Sequence, residues 1–229
     1  MTTTIAISGK GGTGKTTLSA LIIRALQERP DAGRGILAVD ADPNACLAMA
    51  LGADTETDIA ELREQSRKGQ GPAGMDKIRN FELGLQQIIA EEDGYDLLSM
   101  GRPEGPSCYC AVNNMLRKYL DRLSASYSYV VLDNEAGMEH ISRRTTNNVD
   151  CLLIAAESTF AGKKTVKRIL ELAGSLPVQI KKTALIWNKS DTDETIDGIE
   201  CLGSLSFNRE IFYLSAKGGT VFDLDKNNE

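Results

Sequence analysis

The clearest chemistry in the sequence lies in nine consecutive residues near its start, Gly9-Lys10-Gly11-Gly12-Thr13-Gly14-Lys15-Thr16-Thr17. Glycines at this spacing allow successive backbone N–H groups to face an anion, and a helix that begins here adds its positive dipole end. This is the pattern of a phosphate-binding loop, in which Lys15 reaches the β- and γ-phosphates and the Thr16 hydroxyl ligates Mg²⁺. We therefore expect ATP or ADP, with Mg²⁺, to contact Gly11, Gly12, Thr13, Gly14, Lys15, Thr16 and Thr17.

The same loop also satisfies the pattern of a dinucleotide-binding turn, Gly-x-Gly-x-x-Gly. Asp40 then stands where a ribose-binding acid is found in dinucleotide folds. A dinucleotide site has no use for the lysine and hydroxyl of Lys15 and Thr16, and this disfavours an NAD enzyme. Asp133 directly follows the apolar run Tyr129–Leu132, as does the aspartate that holds Mg²⁺ through water in P-loop enzymes. The residues together favour an ATPase.

A second chemical feature is Cys108-Tyr109-Cys110, which lies in a Gly- and Pro-rich loop before an amphipathic segment. Thiols near a helix N-terminus are favoured as thiolates. Two thiolates leave a tetrahedral metal half-ligated, and a two-fold axis of a homodimer beside them supplies the other pair. Four sulfurs suit Zn²⁺, Ni²⁺ or an iron–sulfur cluster. The alternatives are two inert reduced thiols or a redox-active pair.

The elements that position these residues follow the pattern of an α/β fold. Short apolar runs alternate with helix-like segments, which is typical of a doubly wound, mostly parallel β-sheet with helices on both faces. The predicted strands are Thr3–Ser8, Gly35–Asp40, Asp96–Met100, Tyr129–Asp133, Cys151–Ala155, Thr183–Asn188 and Ile211–Ser215. The predicted helices are Lys15–Glu28, Ala111–Ser124 and Gly162–Gly174. The length of 229 residues predicts a single domain over 1–229.

Composition narrows the classes of partner. A net charge of −6 and a pI of about 5.0 disfavour a broad nucleic-acid surface, which needs clustered Lys and Arg. No apolar stretch approaches the length of a membrane span. Five cysteines, an odd number without a secretory signal, indicate a reducing compartment. We expect a cytoplasmic protein that binds neither nucleic acid nor membrane.

Lys10 is unusual for phosphate loops in general, and it resembles the signature lysine of the deviant Walker A group of ATPases. This group includes MinD, ParA and the nitrogenase iron protein. The resemblance implies a homodimer in which Lys10 crosses the interface to the phosphates bound by the partner. Its role would be that of an arginine finger, and turnover would be slow and would wait for the dimer to close.

Three further segments are similar to those of the group. Asp40-Ala41-Asp42-Pro43-Asn44 resembles its switch I, which implies that Asp42 positions the attacking water. Asp133-Asn134-Glu135-Ala136-Gly137 resembles its switch II, which implies that Gly137 senses the γ-phosphate. Asn188, at the end of a predicted strand, resembles the asparagine that reads the adenine edge, with an ordinary turn residue as the alternative. The resemblance thus gives catalytic roles to Lys10, Lys15 and Asp42.

One branch of the group matches over most of the chain. The run from Gly101 to Asn114, which contains Cys108 and Cys110, and the run from Asp133 to His140 are similar to the carbon monoxide dehydrogenase accessory ATPases. This resemblance implies a factor that uses ATP while nickel is inserted into the nickel–iron–sulfur cluster of carbon monoxide dehydrogenase or a related nickel enzyme. We expect Ni²⁺ or Zn²⁺ to bridge two subunits through the two cysteines.

Two other functions stay open within the group. A positioning or partition ATPase of the MinD or ParA type needs a membrane-binding tail or a basic DNA face, and the acidic composition disfavours both. An iron–sulfur electron donor like the nitrogenase iron protein takes a second cysteine from just beyond switch II. Here no cysteine follows Gly137 before Cys151. We expect Cys46, Cys151, Cys201 and His140 to be structural.

Overall fold

The computed structural model describes residues 2–33, 35–42, 44–55, 57–67, 83–101, 118–134, 148–176 and 178–225. Its strands are β1 Thr3–Gly9, β2 Ile36–Asp40, β3 Ala90–Glu92, β4 Tyr95–Ser99, β5 Tyr129–Asp133, β6 Asn148–Ala156, β7 Gln179–Asn188 and β8 Glu200–Leu205. Its helices are α1 Lys15–Gln27, α2 Cys46–Leu51, α3 Ile59–Arg67, α4 Phe160–Ser175 and α5 Arg209–Ala216, followed by a 3₁₀ turn at Val221–Asp223. Residues 83–87 and 118–124 are also helical.

The strands form one eight-stranded sheet in the order β3-β4-β2-β5-β1-β6-β7-β8. Neighbouring strands are parallel, except that β3 and β4 form an antiparallel pair at one edge. The chain leaves β1 through α1 toward β2 on one side, and it leaves β6 through α4 toward β7 on the other. The strand order therefore reverses between β1 and β6, and in open α/β sheets ligands bind beyond the carboxyl ends of the strands at such a point.

Two apolar cores cover the two faces of the sheet, which confirms the predicted doubly wound class. Alternate residues of β1 divide between them: Ala6 joins the core under α3 and α4, and Ile7 joins the core under α1 and α2. Every residue of β2 and β5 is buried, as their continuous apolar runs predict. That one domain extends over 1–229 stays a prediction.

The predicted strand at Ile211–Ser215 is wrong, because these residues belong to α5. Asn208 caps that helix, its side chain accepting hydrogen bonds from the backbone N–H groups of Glu210 and Ile211. Ile211 and Leu214, three residues apart, pack on the core from one side of the helix. The eighth strand is instead β8, an edge strand with no fully buried residue and therefore no continuous apolar signal.

The other predicted elements agree with the structure to within a few residues where they are described. The predicted helix Ala111–Ser124 is helical over 118–124, and its first seven residues lie outside the described ranges. The sequence did not predict α2, α3 or β3. Within the described residues, no helix combines the length and the hydropathy that a membrane crossing requires.

Candidate functional site

The phosphate loop follows β1 directly, and its glycines are required by two close approaches. A Cβ on Gly9 would lie 2.2 Å from the carbonyl oxygen of Ala155, and one on Gly14 would lie 2.4 Å from Asn188 Nδ2. Gly14 also has a φ of 83°, in the left-handed region that favours glycine. By contrast, a Cβ on Gly11 or Gly12 would meet nothing within 4 Å. The loop at Gly11 and Gly12 thus faces open space, which a bound phosphate requires.

Side chains of the loop fix its shape around the carbonyl of Lys10. The Thr13 hydroxyl donates to this carbonyl at 2.8 Å, and Lys15 Nζ donates to it over 3.4 Å. The Lys15 side chain is buried, and this long bond leaves two N–H groups of its ammonium free to bind phosphate. A buried cation at the N-terminus of a helix, where Lys15 begins α1, is a strong anion site.

The candidate Mg²⁺ ligands meet at the start of α1. Asp133, at the end of β5, is fully buried and accepts a hydrogen bond from the hydroxyl of Ser19 over 3.1 Å. Burial raises the pKa of Asp133, and the hydroxyls of Thr16 and Ser19, with the charge of Lys15, oppose that rise. The second carboxylate oxygen of Asp133 has no hydrogen-bond partner among the described residues. A buried carboxylate with a free oxygen beside a threonine hydroxyl fits the oxygen ligands that Mg²⁺ takes.

The segment that follows β2 places a second acid beside Asp133. Asp40 and Asp133 are paired in register across β2 and β5, and both are fully buried. Burial above all, together with the charge of Asp133, raises the pKa of Asp40 to about 7, although the backbone N–H groups of Leu47 and Asp42 act in the opposite direction. Asp40 thus anchors the turn that leads to α2.

Asp42 lies on this turn, partly exposed at the same edge of the sheet. Its Oδ1 accepts hydrogen bonds from the backbone N–H of Asn44 at 2.9 Å and from Asn44 Nδ2 at 2.8 Å. Its second oxygen has no partner among the described residues, and it can accept a hydrogen bond from water. That Asp42 orients the attacking water stays a prediction.

The end of β7 reaches back to the phosphate loop. Asn188 Nδ2 donates to the carbonyl of Thr13 at 2.7 Å, and Lys189 Nζ donates to the carbonyl of Gly12 at 2.7 Å. Asn188 is therefore more than an ordinary turn residue, because it holds the loop. Whether it also contacts a base stays a prediction.

Lys10 and Thr17 occupy contrasting positions. The Lys10 side chain is exposed and, within the part of the chain that the structure describes, it contacts no acid or carbonyl. Thr17 is partly buried in the first turn of α1. The predictions for Gly137, Cys108, Cys110 and His140 fall outside the described residues.

The remaining cysteines form no cluster. Cys46, Cys151 and Cys201 are free thiols of intermediate exposure. Among the residues that the structure describes, no group of three or more His, Cys, Asp or Glu side chains is arranged to hold a metal ion.

Sequence reasoning missed three residues that support the site. These are Ser19, Lys189 and Asn134, whose side-chain amide donates to the carbonyl of Ile7 at 3.0 Å. The position of Ser19, one helical turn after Lys15, is a signal that could have found it, since residues four apart share a helix face. Lys189 carries no such local signal.

Comparison with known proteins agrees with this geometry. A family model described as the CobQ/CobB/MinD/ParA nucleotide binding domain matches residues 4–221. An uncharacterized ATP-binding protein of Methanocaldococcus jannaschii is 42% identical over 237 residues, covering 98% of this chain and 92% of that protein. The carbon monoxide dehydrogenase accessory protein CooC of Rhodospirillum rubrum is 32% identical over 240 residues, covering 96% and 89%.

Among solved structures, a ParA family ATPase from Chlorobium tepidum TLS has a TM-score of 0.70 at 19% identity, over 100% of this chain and 95% of that one. At this identity the likeness supports the fold alone. The matching family model and the relatives identify the family as well as the fold. The chain belongs to the CobQ/CobB/MinD/ParA family of P-loop nucleotide-binding proteins.

Proposed function

We propose that the protein is an ATPase that works as a homodimer and assists the insertion of nickel into carbon monoxide dehydrogenase or a related nickel enzyme. The observation that carries the ATPase part is the convergence of Lys15, Thr16 and Asp133 at one edge of the sheet, under an open phosphate loop. The maturation part is supported by the Cys-x-Cys sequence and by the 32% identity to CooC.

In this proposal each residue of the site has a separate task. Lys15 and the backbone N–H groups of the loop bind the β- and γ-phosphates. Thr16 and Asp133 hold Mg²⁺, which when bound neutralises charge on the phosphates. Asp42, with one oxygen tied to Asn44, uses the other to orient water toward the γ-phosphate. Lys10, exposed in its own subunit, reaches the phosphates of the partner.

The metal part of the proposal follows from ligand counting. Each chain offers two thiolates for this site, from Cys108 and Cys110. Four thiolates are therefore available only when two copies meet on a two-fold axis. ATP and metal would each favour the dimer, so each should raise the apparent affinity of the protein for the other. Because of this linkage, ATP binding and hydrolysis would control when the dimer holds a nickel ion.

The test is a titration of the full chain with Ni²⁺ and with Zn²⁺, followed by metal analysis and by sedimentation with and without ATP. We expect about one ion per dimer, tighter binding with ATP, and loss of binding in Cys108→Ser/Cys110→Ser. Cys46→Ser/Cys201→Ser is the matched control and should bind as the wild type does. Wild-type stoichiometry and affinity in the Cys108→Ser/Cys110→Ser variant would overturn the metal assignment.

A positioning ATPase is the second candidate, and one surface favours it. Phe207, Phe212 and Tyr213, on and before α5, are exposed, although their rings contact one another. Exposed aromatic residues on a short helix suit an interfacial contact. ATP-dependent sedimentation with anionic phospholipid vesicles, abolished in Phe212→Ser/Tyr213→Ser, would favour this function over metal insertion.

A further inference from the structure

Helix α2 begins shortly after Asp42, and the turn between them is strained. Ala45 has a φ of 49°, in the left-handed region that a residue with a side chain seldom adopts. Its backbone N–H donates to the carbonyl of Asp42 at 3.0 Å, which closes the turn. Such a conformation persists only where the surrounding structure holds it on both sides. The position of Asp42 should therefore depend on how firmly α2 is fixed.

The first turn of α2 is attached to Asp40. The backbone N–H of Leu47 donates to one oxygen of this buried carboxylate at 2.8 Å, and the backbone N–H of Asp42 donates to the other oxygen at 3.1 Å. One side chain thus holds both ends of the strained turn. The far end of α2 lies beyond the reach of these two bonds and is held by other contacts.

The far end of α2 packs on the segment Thr220–Leu224, which we call the strap. Val221 and Leu224 of the strap are each 6% exposed, and they share a core with the apolar residues of α2. A Cβ on Gly52, the residue that ends α2, would lie 2.7 Å from Thr220 Cγ2. The strap and the end of α2 are therefore in contact without room for an added methyl group.

An aromatic pair adds to this contact. The ring of Phe222 in the strap stacks on Tyr95, with 5.9 Å between the ring centroids. The Tyr95 hydroxyl donates to the carbonyl of Leu51, the last residue of α2, at 3.2 Å. A carbonyl at this position has no partner within its own helix. Displacement of the strap would therefore loosen the end of the helix as well as an apolar contact.

Arg24 on α1 holds the strap in place. Its Nη1 donates to the carbonyl of Val221 at 2.6 Å, and its Nη2 donates to the carbonyl of Leu224 at 2.9 Å. A guanidinium is planar and presents its donors in a fixed fork, so that it binds both carbonyls at once. A lysine ammonium lacks this fork. One side chain of α1 therefore spans the 3₁₀ turn of the strap.

We propose that Arg24 is a positioning residue for ATP hydrolysis, which holds the strap against α2 and so keeps Asp42 directed at the attacking water. The inference rests on the proposed role of Asp42 and deepens it. Arg24 lies on the helix that begins at the phosphate loop. The loop that binds the phosphates and the acid that orients water are thus aligned through one connection, from α1 to the strap to α2.

The test compares the wild type with Arg24→Met, which removes both hydrogen bonds and keeps an unbranched side chain. We expect kcat for ATP hydrolysis to fall about tenfold, because even a small displacement of the group that orients water slows the reaction strongly. The dissociation constant of ATP should change by less than about twofold, since the phosphate loop is untouched. Hydrogen exchange of the α2 amides, including that of Leu47, should become about tenfold faster.

Two further variants serve as comparisons. Arg24→Lys keeps the charge and one donor, and it should recover part of the lost rate. Arg29→Met is the matched control, because Arg29 pairs with Asp31 on the surface, and it should leave kcat and the exchange of α2 unchanged. If Arg24→Met does not fold, Phe222→Ala, which removes the stacked ring of the strap, should change kcat and α2 exchange in the same direction.

A double variant separates positioning from a general loss of stability. Arg24→Met should not slow Asp42→Ala further, because the group that Arg24 positions is then already absent. A further loss of about tenfold in that background would overturn the inference. An unchanged kcat or unchanged exchange of α2 in Arg24→Met would also overturn it, and either result would leave the proposed ATPase intact. Absence of ATP hydrolysis by the wild type would instead overturn the proposed function, and this inference with it.

Discussion

The hydroxyl of Ser19 on α1 donates a hydrogen bond to the buried carboxylate of Asp133 at the end of β5, over 3.1 Å. The carbonyl of Lys15 shares the single hydrogen of that hydroxyl and accepts it over 2.9 Å. Ser19 and Asp133 are both fully buried. The helix that begins at the phosphate loop therefore also holds the aspartate expected to bind Mg²⁺, so that the two halves of the site are positioned by one contact.

Ser19→Ala tests this contact. The substitution removes the hydroxyl that donates to Asp133, and a hydrogen bond to a charged group contributes about 1.5 kcal/mol or more. We expect the apparent affinity for Mg²⁺ in ATP hydrolysis to fall about tenfold, measured by titrating Mg²⁺ at saturating ATP. Ser99→Ala is the control, because the Ser99 hydroxyl is buried without a partner among the described residues. An equal effect of both substitutions would contradict a specific role for Ser19.

Lys15 and Asp42 should affect different steps. Lys15→Ala removes the buried cation of the phosphate loop, and we expect nucleotide binding to be lost in a direct fluorescence titration. Asp42→Ala should bind ATP nearly as the wild type does but hydrolyse it about 100-fold more slowly or worse, the usual contribution of a group that activates the nucleophile.

Because Asp42 also accepts two hydrogen bonds from Asn44, Asp42→Asn serves as a second variant that retains an oxygen for that turn. It should be as inactive as Asp42→Ala. Hydrolysis at the wild-type rate in either variant would show that Asp42 does not orient the attacking water.

The phosphate loop could be recognised from sequence because its requirements are local. Residues Gly9 to Thr17 are consecutive, and one loop followed by a helix needs all of them. Asp133 could be placed because it ends a continuous apolar run, which predicts a buried central strand. Both predictions needed only near neighbours in the chain.

Helix α5 shows where such reasoning fails. A short apolar run such as Ile211–Ser215 suits a buried strand or a helix equally well, and the cap at Asn208 decides for the helix. The bond from Lys189 to Gly12 joins residues 177 positions apart, and no pattern in one sequence predicts it. Contacts of this kind depend on the register of whole strands.

Acid stability should depend on Asp150 at the start of β6. Its carboxylate accepts the backbone N–H of Thr4 at 2.7 Å and pairs with Lys181 at 2.5 Å. Burial raises the pKa of Asp150, but these two partners outweigh it and leave the pKa below its usual value. A group with a lowered pKa stabilises the fold above its unfolded value, near 3.9, and loses that contribution as the pH falls through its folded value.

We therefore expect Asp150→Asn to lower the free energy of unfolding by about 0.5 kcal/mol at pH 7, a small effect because Lys181 is exposed. The difference from the wild type should shrink as the pH falls below the unfolded value, near 3.9, and through the lowered folded value. Urea unfolding at several pH values measures it, with Asp54→Asn, an exposed acid, as the control. A difference that grew on acidification would contradict the lowered pKa.

Lys10 should act on the partner subunit. Its side chain is exposed and unpartnered among the described residues, whereas Lys15 is buried in the same loop. Lys10→Gln should bind ATP but hydrolyse it about 100-fold more slowly or worse, as when a cation supplied in trans is removed. This result alone does not distinguish a lysine that acts in trans from one that acts in its own subunit.

Mixed dimers make that distinction. An excess of the double variant Lys10→Gln/Asp42→Ala is added to a fixed amount of wild type, and ATP hydrolysis per wild-type subunit is measured. If Lys10 acts in trans, the wild-type site lacks its lysine and the variant site lacks Asp42, so activity should fall toward zero. If Lys10 acts in its own subunit, the wild-type site stays complete and activity persists. Asp42→Ala alone is the matched titrant, because it returns Lys10 to the mixed dimer and should therefore preserve the activity that the double variant abolishes.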